Sequence, residues 1–319
     1  LRDRLRIGVI GCGSMGGHHA RTVAANASAV LVGVVDPHEE RREAVAAAHA
    51  VSSYADVSSL LAAGIDAAVI AAPTAKHHAL ATLLLSSGVH VLVEKPIAGG
   101  VDEARDLVAL AEGCGRKLMI GHVERFNPAL VALRAALQGE DVRSVVITRA
   151  SPFPARIGDV GIVLDLAVHD IDLIRWMASS EIAEHQAQVS QTRGAHEDSA
   201  LLQFRTTSGA IASINTNWLT PFRQRRMEVA TPDRFFVCDM LQRTLTVFSD
   251  YGKDGSFRQR ALFVPASDPL AAEHAAFYAA VRGEAEVPVS GHDGLRSLEI
   301  ALACLGRAGG AGVRGASGV

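Results

Sequence analysis

Lysine is scarce in this chain. Only four of its 31 basic residues are lysines, at positions 76, 95, 117 and 253, and the rest are arginines. Such an arginine-rich, alanine-rich composition is a bias of the genome, so a single arginine carries little functional information. A lysine at a special position carries more. Cysteine is thin as well. Cys12, Cys114, Cys238 and Cys304 are scattered, with no Cys-x-x-Cys pair and no histidine cluster at zinc spacing. That pattern argues against a disulfide scaffold and a structural zinc site, and it fits reduced thiols in a cytoplasmic protein. Long apolar runs are missing too: none reaches the roughly 18 residues of a membrane span. The charged opening Leu1-Arg2-Asp3-Arg4 shows no signal peptide. Charge of one sign is lacking, since the net charge is −3. The chain therefore has no global electrostatic footprint for nucleic acid.

What is present is an ordinary globular composition, 49% hydrophobic over 319 residues, long enough for two domains. The first third alternates short apolar runs with helical patterns. Residues 6–10, 30–35, 67–71, 89–93 and 117–120 read as strands. Residues 15–25, 38–50, 75–87 and 102–112 read as helices. Continuous apolar strands separated by helices predict a doubly wound parallel sheet covered on both faces. Beyond Gly121 the pattern changes. Helices are predicted over 123–138 and 162–177, a strand over 141–149, and successive strands with turn signals from 182 to 264. Two further helices start near Asp268 and His292. The expected fold is a Rossmann domain at 1–121 followed by a domain built on a large, mostly antiparallel open sheet at 122–306. The Gly- and Ala-rich tail, 307–319, is expected to fray.

Gly11-Cys12-Gly13-Ser14-Met15-Gly16 is a G-x-G-x-x-G motif that follows a strand and opens a helix. In that setting Gly11 makes the tight turn, Gly13 lets the backbone approach a pyrophosphate, and Gly16 lets helix and strand pack closely. Ser14 and Met15 enter the first helical turn, where free N–H groups favour an anion. Asp36 ends the second strand at the distance expected for a ribose-binding carboxylate. It would repel a 2′-phosphate, so NAD is expected over NADP. Pro73 and Thr74 end a further strand and are expected to line the cofactor; a plain strand-to-helix turn with Thr74 as N-cap fits the same residues.

Glu94-Lys95-Pro96 follows the strand 89–93 directly. A lysine there can steady oxygen charge as hydride leaves, although a surface ion pair with Glu94 fits the position as well. Asp165 and His169 are four apart on a predicted helix, with Asp172 on an adjacent face. A histidine beside a carboxylate can accept a proton near neutral pH. A helix-surface ion pair or a capped interface histidine would look the same. No third strong ligand accompanies the pair, so no metal is expected.

Together these motifs resemble the Gfo/Idh/MocA family of oxidoreductases. The resemblance spans almost the whole chain: the glycine motif with His19 behind it, Asp36, Pro73-Thr74 with His77, Glu94-Lys95-Pro96, and Asp165-x-x-x-His169. It implies a catalytic set of Lys95, Asp165 and His169. It adds His77 and Glu94 to the cofactor-binding residues. The segment Gly121-His122-Val123-Glu124-Arg125-Phe126-Asn127-Pro128 resembles the nucleotide-sugar branch of that family, which implies an NDP-sugar such as UDP-N-acetylglucosamine oxidised at C3. A free sugar, a sugar phosphate or an inositol is the alternative substrate, and a non-catalytic NAD-binding regulator the alternative class. By the same resemblance Arg125 and Asn127 would face substrate. Arg149 and Arg156 flank a Pro-rich loop and could meet a phosphate, though a solvated role is the better expectation for each. A homodimer or homotetramer is implied, with apolar positions in 201–204 and 211–214 as the candidate contact.

Overall fold

The computed structural model describes residues 4–154, 160–306 and 314–315. The chain divides into two compact units, one of residues 1–123 with 270–296 and one of residues 124–269 with 297–319. The return of 270–296 to the first unit is absent from the sequence reading. The expected tail lies almost wholly outside the described residues.

The first unit is a six-stranded sheet of β1 (Leu5–Ile10), β2 (Ala29–Val35), β3 (Ser52–Tyr54), β4 (Ala67–Ile70), β5 (His90–Glu94) and β6 (Leu118–Gly121). Its order is β3-β2-β1-β4-β5-β6 and every pairing is parallel. Helices α1 (Ser14–Ala24), α2 (Glu39–His49), α3 (Val57–Ala62), α4 (His77–Ser86) and α5 (Val101–Gly113) connect the strands. Ile7, Val9, Val69, Ile70, Val91 and Leu92 have no exposed surface. Their burial, about 1.5–3 kcal/mol for each large side chain, is why these runs show no polar alternation. The strand order reverses between β1 and β4, and ligands of such sheets bind at the carboxyl ends of the strands beside that point.

A 3₁₀ turn over Val123–Phe126 carries the chain into the second unit, where α6 (Pro128–Ala136) follows. The single helix expected over 123–138 is broken because Pro128 forces extended backbone on Asn127, which becomes the N-cap (φ −62°, ψ 121°). There follow β7 (Ser144–Ala150), a π-helical turn Val163–Ala167, α7 (Val168–Ala178), β8 (Ile182–Ser190), β9 (Ser199–Thr206), β10 (Ile211–Asn217), β11 (Gln224–Ala230), β12 (Phe235–Asp239), β13 (Thr244–Ser249) and β14 (Arg258–Leu262). The sheet order is β14-β13-β12-β11-β7-β10-β9-β8, with a two-residue β15 (Arg314–Gly315) beside β8. Pairings are antiparallel except β7 with β10 and β8 with β15. One face carries the core: Val145, Ile147, Leu202, Ile214, Met227 and Val229 pack with Ile171 and Ile174 of α7 and Leu130 and Leu133 of α6. On the other face Val146, Leu201 and Ile211 are exposed. The apolar positions expected to be open in 201–204 and 211–214 are thus sorted by the strand period: Leu201 and Ile211 point out, while Leu202, Phe204 and Ile214 point into the core.

The chain then runs through α8 (Pro269–Val281) into α9 (Gly291–Cys304). Among the described residues, no helix is long and apolar enough to cross a membrane.

Candidate active site

In the first unit the sequence-predicted residues converge on the carboxyl ends of β1, β2, β4 and β5. Gly11 turns the chain after β1 with φ +94°, and a Cβ there would come within 2.6 Å of the Ala71 carbonyl oxygen. Only glycine meets both conditions. A Cβ on Gly16 would overlap the Gly11 carbonyl, so α1 and β1 pack backbone to backbone. Gly13 differs: a Cβ there would meet nothing within 4 Å. It is the N-cap of α1, without a side-chain cap bond, and no acidic residue sits in the first turn with Ser14 and Met15. Open space in front of uncapped N–H donors is what a pyrophosphate requires.

Asp36 is buried at the end of β2. Its Oδ2 accepts from Cys12 N–H at 2.8 Å and its Oδ1 from His38 N–H at 2.9 Å. Each oxygen keeps lone-pair capacity for a ribose hydroxyl. The donor set therefore fits a dinucleotide. Burial, then the Asp36 charge, pushes the Cys12 thiol up to about 12, which leaves it a neutral packing group.

Pro73 and Thr74 follow β4. Thr74 opens a 3₁₀ turn through Lys76, and the N-cap of α4 is Lys76, so Thr74 does not cap that helix. His77 is buried with Nδ1 2.8 Å from the Pro96 carbonyl and Nε2 2.9 Å from the Ala72 carbonyl. Both ring nitrogens are thus occupied by backbone. His77 ties the end of β4 to the Glu-Lys-Pro turn rather than presenting a nitrogen to a cofactor. Burial holds its pKa below the usual histidine value, against the two carbonyls.

Glu94 and Lys95 end β5. Glu94 is buried and Lys95 half-buried. The pair is not a simple surface bridge, because Glu94 Oε1 lies 2.9 Å from His19 Nε2 and its Oε2 accepts from the Lys95 backbone N–H at 3.3 Å. Burial pushes the Glu94 pKa up. The His19 hydrogen bond and the Lys95 charge outweigh it and hold the carboxyl below its ordinary range.

In the second unit Asp165 lies in the π-helical turn and His169 in the first turn of α7. The wide turn advances fewer degrees per residue, so two side chains four apart stay on one side. Short π segments of this kind occur often at functional sites. The turn is seated by Glu197, which the sequence reading missed. Val163 N–H donates to Glu197 Oε1 at 3.3 Å, Ile162 N–H donates to the Glu197 backbone carbonyl at 2.9 Å, and a Cβ on Gly161 would overlap the Glu197 carboxylate. The Gly161 position next to the motif was the available signal.

Two arginine expectations change, and so does that for Asn127. Arg125 donates through Nε and Nη2 to the two oxygens of buried Asp172, both at 2.6 Å, and its guanidinium lies 5.9 Å from the Trp176 ring centre. Asn127 caps α6 by accepting from Ala129 N–H at 3.1 Å, and its amide donates to the Met240 carbonyl at 3.1 Å. These bonds give both residues an internal structural role. Arg149 is neither solvated nor free to meet a phosphate: it is 2% exposed, clamped between Asp170 (2.7 Å) and Glu124 (3.0 Å). Burial opposes its charge, but those two carboxylates outweigh burial and keep it ionised. Arg156 lies outside the described residues.

The comparisons with known proteins agree with this geometry. A family model described as "Oxidoreductase family, NAD-binding Rossmann fold" matches residues 5–122, and a "GFO/IDH/MocA C-terminal domain" model matches residues 141–233. The chain is 33% identical over 303 residues to a UDP-N-acetylglucosamine 3-dehydrogenase of Acidithiobacillus ferrooxidans, covering 93% of this chain and 95% of that one. It is 30% identical over 318 residues to an inositol 2-dehydrogenase of Rhizobium meliloti, covering 94% and 96%. A solved structure of the A. ferrooxidans enzyme superposes with a TM-score of 0.89 at 31% identity, covering 96% of this chain and 98% of that one.

Proposed function

Since the chain belongs to the Gfo/Idh/MocA family of NAD-binding oxidoreductases, we propose that it uses NAD to oxidise a secondary alcohol of a sugar, or runs the reverse reduction. The leading substrate is an NDP-sugar such as UDP-N-acetylglucosamine, oxidised at C3. The match to a UDP-N-acetylglucosamine 3-dehydrogenase over 93% of the chain carries this reading. The second reading, an inositol as substrate, is favoured by the full-length match to an inositol 2-dehydrogenase.

The residues divide the work by their chemistry. The α1 N-terminus at Gly13, Ser14 and Met15 holds the pyrophosphate, with Gly11 and Gly16 shaping the turn. Asp36 accepts from the ribose hydroxyls and repels a 2′-phosphate, which favours NAD over NADP. When bound, the cofactor supplies the hydride acceptor. The Lys95 ammonium bonds the reacting hydroxyl oxygen and steadies its developing charge. His169 takes the hydroxyl proton, and in the reverse direction returns it. Asp165 orients His169 or a neighbouring sugar hydroxyl. A purely regulatory NAD-binding relative would need no proton acceptor, so Lys95, Asp165 and His169 together argue for the enzyme. The exposed Leu201 and Ile211 of the open sheet face suit pairing with a second copy.

Absorbance at 340 nm with purified protein, NAD and a panel of UDP-N-acetylglucosamine, UDP-glucose, glucose and myo-inositol tests the substrate assignment. The largest kcat/KM is expected with UDP-N-acetylglucosamine. A larger value with myo-inositol replaces the first reading by the second, and NAD binding without turnover on any of them refutes both.

A further inference from the structure

The first unit encloses a polar cluster that the proposed chemistry does not use. His19 comes from α1, Glu94 from β5, and Glu273, His274 and Tyr278 from α8. His19, His274 and Glu273 have no exposed surface and Tyr278 is 1% exposed. Three short contacts join four of them in line: Tyr278 Oη to His274 Nδ1 at 2.8 Å, His274 Nε2 to His19 Nδ1 at 2.8 Å, and His19 Nε2 to Glu94 Oε1 at 2.9 Å. We propose that Tyr278, His274 and His19 form a one-way hydrogen-bond relay that ends on Glu94 and, through Glu94, positions Lys95.

The direction follows from counting donors. An ionised carboxylate only accepts, so His19 must donate from Nε2. In a neutral ring His19 Nδ1 then accepts, and the donor in reach is His274 Nε2–H. His274 Nδ1 is left as an acceptor, and the Tyr278 hydroxyl fills it. Every link holds one proton and every ring nitrogen is used. The reverse order would start from a protonated Glu94, or from a His19 ring holding both protons, and would end with the buried Tyr278 O–H pointing at no acceptor within the relay, a cost of about 1–3 kcal/mol. Burial holds His274 well below the ordinary histidine pKa, which agrees with a neutral ring.

The far end of the relay is the lysine turn. One Glu94 oxygen faces His19 and the other accepts from the Lys95 backbone N–H, so the carboxylate has no rotational freedom left. The titratable groups that face Glu94 are His19 from α1, Lys95 on its own turn, His77 from α4 and Glu273 from α8. Burial, together with the nearby Glu94 charge, pushes the Glu273 pKa well up. Glu94 therefore carries the one negative charge of the cluster beside the Lys95 ammonium. The relay also gives residues 270–296 a reason to pack with the first unit.

The inference rests on the reading of Lys95 as the group that touches the reacting oxygen, and the experiment separates the two. Turnover of UDP-N-acetylglucosamine with NAD is measured for His274→Leu, His274→Gln, Tyr278→Phe, Lys95→Ala and the double variant His274→Leu/Lys95→Ala. His274→Leu should lower kcat on the order of tenfold or more, as small misplacements of reacting groups do, with little change in the NAD dissociation constant. His274→Gln, which can both accept and donate, should restore most of it, and Tyr278→Phe should fall between. In the Lys95→Ala background the His274→Leu loss should vanish. A Lys95→Ala enzyme with wild-type kcat overturns the lysine reading. Additive losses with Lys95→Ala impaired overturn the relay alone. A readout independent of turnover is ¹⁵N NMR of the wild-type imidazoles at neutral pH, assigned from His19→Asn and His274→Gln. Both rings should be neutral Nε2–H tautomers; an imidazolium or an Nδ1–H tautomer at either overturns the relay even where a variant fails to fold.

Discussion

Replacing Glu273 with methionine should stabilise the protein, by an amount that grows with pH. Glu273 is wholly buried on α8, and neither carboxyl oxygen has a hydrogen-bond partner among the described residues. Burial, with the Glu94 charge next in size, raises its pKa well above the ordinary carboxylate value. The sign of the pH dependence then follows. In the unfolded chain the group loses its proton near pH 4.3, whereas in the folded protein it keeps it. Above that pH the unfolded state binds fewer protons than the native state, so wild-type stability falls as pH rises. The slope is about 1.4 kcal/mol per pH unit until the folded pKa is passed. Beneath that lies a pH-independent cost of about 1–3 kcal/mol for burying polar oxygens without partners. Methionine has similar length and no ionisable group, so Glu273→Met removes both. Urea unfolding at pH 5, 6, 7 and 8 measures the difference. The expected result is a variant more stable than wild type at pH 5, with the gap widening toward pH 8. A gap that is constant with pH, or a destabilised variant, would show that Glu273 is ionised and partnered in the folded protein and would refute the reasoning.

Further outcomes are expected at the candidate site and around it. His169→Ala should reduce kcat about 10²–10⁴-fold while NAD binding, followed by fluorescence titration, changes little; equal loss of both would remove His169 from proton transfer. Asp36→Ala should shift the NAD-to-NADP preference toward NADP by roughly tenfold or more, because a carboxylate at contact distance from a 2′-phosphate costs about 4 kcal/mol at an effective dielectric near 20; an unchanged ratio of kcat/KM values would place the ribose elsewhere. Arg149→Met should cost about 3–5 kcal/mol in denaturant unfolding, since it strands the buried carboxylate Asp170 and leaves Glu124 to Arg225 and Asn127, and a loss under 1 kcal/mol would mean that Asp170 is neutral. Leu201→Glu with Ile211→Glu should dissociate the proposed oligomer in sedimentation velocity without changing the far-UV spectrum; an unchanged sedimentation coefficient would overturn the proposed contact.

The turn of the candidate cofactor site was legible because backbone geometry dictates residue type there. A left-handed turn against a carbonyl admits only glycine at Gly11, and Asp36 stands out as the carboxylate that ends β2. The parallel sheet was legible for a related reason: strands buried on both faces lose their polar alternation. β3 and α3 escaped because Ser52–Tyr54 is a three-residue, largely polar edge strand, and Val57–Ala62 is a six-residue helix announced mainly by its Asp56 cap. The π-helical turn escaped because the apolar spacing around Asp165 fits an α-helix equally well; what widens it, Glu197 beside Gly161, lies more than thirty residues on. The relay escaped for distance as well. His19 and His274 are 255 residues apart, and no local pattern pairs them.

The arginines show where composition misleads. In a chain nearly without lysine, an isolated arginine beside a loop reads as solvated, yet Arg149 is 2% exposed, and Arg125, expected to face substrate, is buried as well. Each takes a carboxylate from α7, Asp170 and Asp172, and these two residues flank His169 by one and three positions. A planar fork fixes a carboxylate in two directions where an ammonium fixes it in one. The guanidinium pairs therefore set both the rotation and the height of the helix that presents His169. The bias toward arginine serves that purpose well. On the proposed reading the need at Lys95 is the opposite one, a compact charge that follows an oxygen, and there the chain keeps a lysine. Substituting Lys95 by arginine should then fail almost as badly as substituting it by alanine, although the charge is conserved; recovery of more than half of kcat in Lys95→Arg would show that charge alone is what the position supplies.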